Sequence, residues 1–362
     1  MPRIAVFDFE VSGLSHVPLN RDLLHVLTRA YPDAEITMHG EAAHIAALSN
    51  SGLPHGIRCK DHGTPPRSAQ AAMVGEAEAD HKLVLGCPAD ALAPLLSAAG
   101  RDLASAYDLF AHYELAEPAR WRSRNPLARR RDLFGLLGRR WPTNVRYTVL
   151  EPAVLDQLER ILNPRNARAV FPHPCQPDPA PSRAVPDTPS IAFLGGTFPG
   201  KGFDHFLTAA RDNQGRFAFS VIGARFGDYD ETDDRLFVQP PSKTKLPREE
   251  FNTFVRASDL ICLPLDPVRY SYAASGTLLD AAAFAVPVIA TETAITLDWQ
   301  RRYGPFGYLL ERPEDIPAFL ADLDPARVTE DRDSFRASLM AIAEDRRPDR
   351  IAETFRLHEI PR

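Results

Sequence analysis

Two glycine-bearing segments hold the residues best suited to chemistry. Residues 191–207 read IAFLGGTFPGKGFDHFL and contain four of the twenty glycines (195, 196, 200 and 202), together with Lys201. An apolar run that enters glycines and then a helix brings backbone amides close to an anion, with a lysine as point charge. Gly195-xxxx-Gly200-Lys201 also fits the first seven positions of a P-loop. The eighth is Gly202, where Ser or Thr is needed to hold magnesium, and a plain tight turn is a further reading. Residues 270–291 read YSYAASGTLLDAAAFAVPVIAT. There Ser275-Gly276-Thr277 is suited to capping a helix, with the amides of 276–278 directed outward as a phosphate or diphosphate seat. Asp280, one turn further, is placed to accept a hydrogen bond from a sugar hydroxyl of the same ligand. An ordinary capped, alanine-rich core helix has the same pattern.

The elements that must position these residues follow from periodicity. Ile4–Phe9, Ala34–Met38, Lys82–Leu85, Asp108–Ala111 and Arg146–Leu150 read as short apolar strands. Leu19–Tyr31, Ala89–Ala99 and Pro152–Leu162 have helical spacing between them. Residues 171–190 then hold seven prolines in twenty positions, an extended semi-rigid connector. Beyond it the alternation restarts with strands at Ser190–Leu194, Phe217–Ile222, Leu236–Val238, Leu260–Leu265 and Pro287–Ala290. Helices are predicted at Phe203–Arg211, Pro247–Ala257 and Thr277–Ala285, and residues 313–357 read as helical and charged. Alternation of this kind implies parallel sheets covered on both faces. The expected fold class is α/β, two doubly wound Rossmann-like domains facing a central cleft. The expected boundaries are 1–172, a linker at 173–189, a second domain at 190–340, and a helical tail at 341–362 that crosses back to the first domain.

The two motif segments together resemble the C-terminal donor-binding domain of GT-B-fold glycosyltransferases, of the large retaining family known as glycosyl transferases group 1. The match runs through Phe193-Leu-Gly-Gly-Thr-Phe-Pro-Gly-Lys-Gly202, Ser220-Val-Ile-Gly223, Arg256-Ala-Ser-Asp-Leu-Ile-Cys-Leu-Pro264 and Asp280-Ala-Ala-Ala-Phe-Ala-Val-Pro-Val-Ile-Ala-Thr291, in that order over about 110 residues. The resemblance implies retaining transfer of a hexosyl unit from a nucleoside-diphosphate sugar, such as a UDP- or GDP-hexose, to an acceptor hydroxyl. It implies no metal and no cofactor. Donor contacts are then expected from Gly13, Gly195, Gly196, Lys201, Gly223, Arg225, Tyr272, Ser275, Gly276, Thr277 and Asp280. The chain departs from the family where Tyr272 and Asp280 replace two glutamates, and where Gly196 replaces an arginine. Lys201 then carries the diphosphate charge, helped by Arg225 or Lys243. In the first half the resemblance puts loop Val11–His16 beneath the transferred sugar and makes His16 and His112 candidates to orient the acceptor hydroxyl or take its proton.

Composition bounds the rest. The 362 residues carry a net charge of −6, which disfavours a generally basic nucleic-acid binder, so none is expected as a partner. The four cysteines are widely spaced and read as free thiols in a reducing compartment. Local charge differs: residues 120–142, RWRSRNPLARRRDLFGLLGRRWP, hold eight Arg and one Asp interleaved with Trp121 and Trp141. Trp121, Arg129, Arg130, Arg131, Arg139, Arg140 and Trp141 are expected to meet an anionic membrane surface or a glycan or lipid-linked acceptor. A solvated helix and a nucleic-acid patch are rival readings. The expectation is a cytoplasmic enzyme, peripheral on the inner face of the plasma membrane, acting in polysaccharide biosynthesis. A GT-B-fold sugar-nucleotide epimerase and a non-catalytic sugar-nucleotide-binding protein are the alternatives. Asp322-Leu-Asp324 spells a metal-binding DxD, but no strand precedes it, and it is read as coincidence.

Overall fold

The computed structural model describes residues 1–360 except 112, 117–120, 126–128, 130–131, 182–183, 198 and 227–229. Contacts divide the chain into two units. The first comprises Met1–Cys175, Tyr272–Ala274 and Arg346–Arg362, and the second comprises Gln176–Ser271 and Ser275–Asp345.

The first unit is built on a seven-stranded sheet of order β3-β2-β1-β4-β5-β6-β7, in which every pairing is parallel. Its strands are β1 (Arg3–Asp8), β2 (Glu35–Gly40), β3 (Arg58–Asp61), β4 (His81–Leu85), β5 (Ala106–Ala111), β6 (Val145–Val149) and β7 (Ala167–Val170). Helices α1 (Val17–Ala30), α2 (Ala42–Ser49), α3 (Arg67–Glu76), α4 (Ala89–Arg101), α5 (Leu133–Leu137) and α6 (Pro152–Leu158) connect them. Alternation within β1 sends Ile4 and Val6 to one face, where they meet Leu23, Leu24 and Leu27 of α1. A last helix, α13 (Pro348–Thr354), returns to this core through Ile351 and Ala352.

The second unit has a five-stranded parallel sheet, β12-β11-β10-β8-β9. Its elements run β8 (Ser190–Leu194), α7 (Phe203–Asp212), β9 (Ala218–Ile222), α8 (Arg248–Ala257), β10 (Leu260–Leu263), α9 (Gly276–Phe284), β11 (Val288–Thr291), α10 (Ala294–Tyr303), β12 (Gly307–Leu310), α11 (Ile316–Asp322) and α12 (Pro325–Asp345). Phe193, Phe203, Phe206, Phe219 and Phe237 interlock in its core, each ring 7% exposed or less. A fully buried phenylalanine stabilises by roughly 1.5–3 kcal/mol.

One sequence expectation changes. Leu236–Val238 is not a strand: Glu231–Leu236 winds as a 3-10 helix capped by Asp230, and only an isolated bridge joins Gln239 to Ser220 of β9. The proline-rich connector carries no helix or strand among its described residues and is held by backbone hydrogen bonds. Cys175 donates its amide to the Arg346 carbonyl, and Asp178 and Ala180 donate to Ala283 and Phe284. No helix among the described residues is long and apolar enough to cross a membrane.

Candidate anion seat and acceptor loop

Three glycines shape the strand ends of the second unit. Gly195 follows β8 with φ +100°, donates its amide to Ile222, and would carry a Cβ 2.5 Å from the Lys201 Nζ. Gly223 follows β9, and a Cβ there would collide with the Gly195 carbonyl. Gly202, at φ +73°, starts α7 and has the Pro264 carbonyl where a side chain would stand. The backbones at the carboxyl ends of β8, β9 and β10 therefore approach more closely than any residue with a Cβ permits. Ligands of open α/β sheets bind at such ends.

Lys201 lies in this convergence. Burial pulls its ammonium down to about 8; Asp280 acts to raise it, while Arg269 and Lys245 act to lower it. Among the described residues no hydrogen-bond or ion-pair partner satisfies that ammonium. Lys245, at the surface, is lowered by partial desolvation and by Arg248. Asp280 is paired with Arg248 at 2.6 Å. Asp280 thus pairs with Arg248 and acts on Lys201, while Arg269 and Lys245 add positive charge nearby.

The start of α9 adds oriented amides. Ser275 caps the helix, its Oγ accepting from the Leu278 amide at 3.3 Å and lying 3.0 Å from the Thr277 Oγ1. This corrects the expectation of three outward amides: Leu278 is used internally, and Gly276 and Thr277 are left without intrahelical acceptors. A Cβ at Gly276 would meet nothing within 4 Å, so the space before the helix is open. Arg225 is engaged elsewhere, in ion pairs with Glu231 and Asp234. The charge expected from it comes instead from Lys245, Arg248 and Arg269, and Lys243 is exposed. Gly196 is half-buried beside the turn.

In the first unit, loop 9–16 is held from below by a buried polar chain. The Gly13 carbonyl can only accept, so His44 carries its proton on Nδ1 and donates at 3.0 Å. The His44 Nε2 then accepts from the Asn20 Nδ2 at 2.8 Å, and the same amide group donates to the Asp8 Oδ2 at 2.8 Å. Gly13 has φ +55°, and His16 itself caps α1 in the left-handed region at φ 56°. That conformation is costly for a residue with a Cβ and is typical of functional turns. The His16 Nδ1 stands 3.8 Å from the Asp8 Oδ2. Sequence reasoning found Gly13 and His16 but missed Asp8, Asn20 and His44, whose spacing gives no motif.

Tyr272 belongs to the first unit, its ring meeting Trp121 edge to face at 4.7 Å. Trp121 and Trp141 are each 5% exposed. The Trp141 Nε1 donates to the Leu136 carbonyl, and its ring packs on Tyr147. Neither is available as a membrane anchor, which corrects that expectation: Trp121, Leu133, Leu136, Leu137 and Trp141 are buried, while Phe134, Arg129, Arg139 and Arg140 stand at the surface. His112, Arg130 and Arg131 lie outside the described residues.

Two doubly wound parallel sheets in one chain, the second ending in a glycine-lined cationic seat, define the GT-B fold. Solved structures with this fold match nearly the whole chain. They include HepE of Anabaena in complex with UDP and glucose (TM-score 0.71, 13% identity, 98% of both chains). Sucrose-phosphate synthase of Thermosynechococcus elongatus matches with TM-score 0.66 and 14% identity over 98% of this chain and 97% of that one. The lipopolysaccharide outer core galactosyltransferase WaaB matches with TM-score 0.63 and 12% identity over 97% of both. Identities this low establish the fold alone. No protein-family model and no curated protein sequence matches the chain.

Proposed function

We propose that the chain is a glycosyltransferase that moves a hexosyl unit from a nucleoside-diphosphate sugar to a hydroxyl of a glycan or lipid-linked saccharide. The observation that carries this reading is the half-buried ammonium of Lys201 set against Gly195 at the end of β8, with no hydrogen-bond or ion-pair partner among the described residues. Donors pre-organised where negative charge develops stabilise a departing diphosphate. Lys201, Lys245, Arg248, Arg269 and the amides of Gly276 and Thr277 supply that stabilisation without a metal or other cofactor. HepE, which shares the fold, is described with UDP-glucose bound, which supports a UDP-hexose as first donor to try.

The first unit supplies the acceptor side through loop 9–16, with His16 orienting the acceptor hydroxyl. The resemblance to the retaining family supports retention at the anomeric carbon. The exposed arginines of residues 120–142 suit an anionic acceptor or the inner face of a membrane.

The test is thermal shift and donor hydrolysis with UDP- and GDP-hexoses, repeated on Lys201→Ala and Asp280→Ala. Stabilisation by at least one donor, lost in both variants, is expected. Absence of stabilisation by every donor, or variants that bind unchanged, overturns the reading. Binding with no transfer to any acceptor and no hydrolysis favours a non-catalytic binding protein.

A further inference from the structure

A groove of about 690 Å³ lies in the first unit, lined by none of the candidate site residues above. Its floor follows from strand register. Ala5 pairs with Thr37 and Thr37 with Arg58, while Phe7 pairs with His39 and His39 with Lys60. Residues paired across parallel strands share a face, so these rows lie side by side. On the opposite face Ile36 and Met38 are buried in the core with α1 and α2. On the groove face α3 forms one wall through Met73 and Glu76, and β2 and β3 remain open to solvent. Parallel sheets are ordinarily covered on both sides, so an open stretch of floor is an exception that calls for an occupant.

The floor carries polar atoms without partners. His39 is only 8% exposed; its ring stacks on Phe7 at 4.5 Å, and its Nδ1 is 3.0 Å from the His62 Nε2. Its Nε2 has no partner among the described residues, nor has the Thr37 hydroxyl. Burial, with His62 and Lys60 nearby, holds the His39 imidazole down to about 4, so it is neutral at pH 7. A neutral imidazole and a hydroxyl each pair with a group that both donates and accepts. Charges at the rim are balanced: Arg3 pairs with Glu78 and Arg58 with Glu35, leaving Lys60 against Glu76. A groove with no net charge does not select an anion. Apolar Ala5 and Met73 lie between the polar groups.

We propose that this groove binds a neutral, hydroxyl-rich chain, a short oligosaccharide, through His39 and Thr37. From β1 it takes only Arg3, Ile4 and Ala5, and it reaches His39 of β2 and His62 after β3. On the transferase reading the saccharide is a glycan of the acceptor class; the chemistry of the groove does not rest on that reading.

The experiment is isothermal titration of the full chain with cellotetraose, maltotetraose, chitotetraose and mannotetraose, with and without UDP. At least one is expected to bind saturably, and UDP is expected not to compete. His39→Phe, which keeps the stacking but removes the nitrogen, is expected to weaken binding about tenfold, the loss of one buried polar contact. Thr37→Val, nearly the same shape, is expected to weaken it also and guards against misfolding of the first variant. No saturable binding by any of the four, binding unchanged in both variants, or displacement by UDP overturns the proposal. Saccharide binding that depends on His39 in a protein that binds no nucleotide sugar leaves the groove standing and removes the transferase reading.

Discussion

The ammonium of Lys201 occupies the volume that a side chain at Gly195 would fill: a Cβ at 195 would lie 2.5 Å from the Nζ. The pair makes one device, since the glycine exists in that place so that a charge can be stored there. Gly195→Ala is expected to displace the ammonium and to strain a backbone at φ +100°. Affinity for nucleotide sugars should fall at least about tenfold by titration, on the order of one charged hydrogen bond.

Storing that charge costs stability. The folded value of about 8 lies below the ordinary 10.5, so between these limits the unfolded chain holds a proton that the folded one lacks. From this group alone, stability therefore rises with pH from 8 to 10.5 and is penalised below 8. Lys201→Met should stabilise the ligand-free protein at pH 7 in urea unfolding, while losing donor binding. A variant that is destabilised would contradict an ammonium held without a partner.

Binding of a diphosphate should reverse this shift. The anion favours the ammonium, so donor binding takes up a proton near pH 8–9 and weakens as pH rises beyond that range. Calorimetry in buffers of different ionisation enthalpy reads the uptake directly. Equal heats in every buffer would exclude Lys201 from the seat.

Gly276 faces open space at the start of α9, so Gly276→Ala should leave folding nearly unchanged. Gly276→Asp adds a carboxylate that the helix start favours by about 0.3–1 kcal/mol. The same carboxylate repels a diphosphate, so donor affinity should fall while urea stability holds or rises.

The sequence made the second unit's site readable and left part of its chemistry hidden, for physical reasons. Gly195, Gly202 and Gly223 are contiguous with strand ends, so backbone approach leaves a local signature. Arg248 and Arg269 reach Asp280 and Lys201 only through folding, from an α8 start and a 3-10 turn distant along the chain. The helix α2, the edge strand β3 and the helix α10 went unseen because their segments are short, polar or weakly periodic; β3 is exposed at all four positions. The tryptophans of residues 120–142 were misjudged because interleaving with arginine looks alike whether the apolar face turns to lipid or to the core.

That segment yields a paired test. Trp121→Ala and Trp141→Ala should each cost about 3–5 kcal/mol, as buried aromatics do. Arg139→Glu with Arg140→Glu should change stability by no more than about 0.5 kcal/mol, as exposed substitutions do. The same double variant should abolish flotation with anionic liposomes at low salt.

His16 offers a last separation of stability from activity. Its left-handed backbone costs about 1–2 kcal/mol that glycine would not incur. His16→Gly should therefore be more stable in urea yet transfer more slowly, with donor affinity intact.

The most direct test is calorimetric titration of UDP- and GDP-hexoses into the native chain and into Lys201→Met. Saturable binding of at least one donor, at least tenfold weaker in the variant, is the predicted result. Native protein that binds none of them, or a variant that binds as tightly as the native chain, would contradict the assignment of Lys201 and the α9 start as the diphosphate seat.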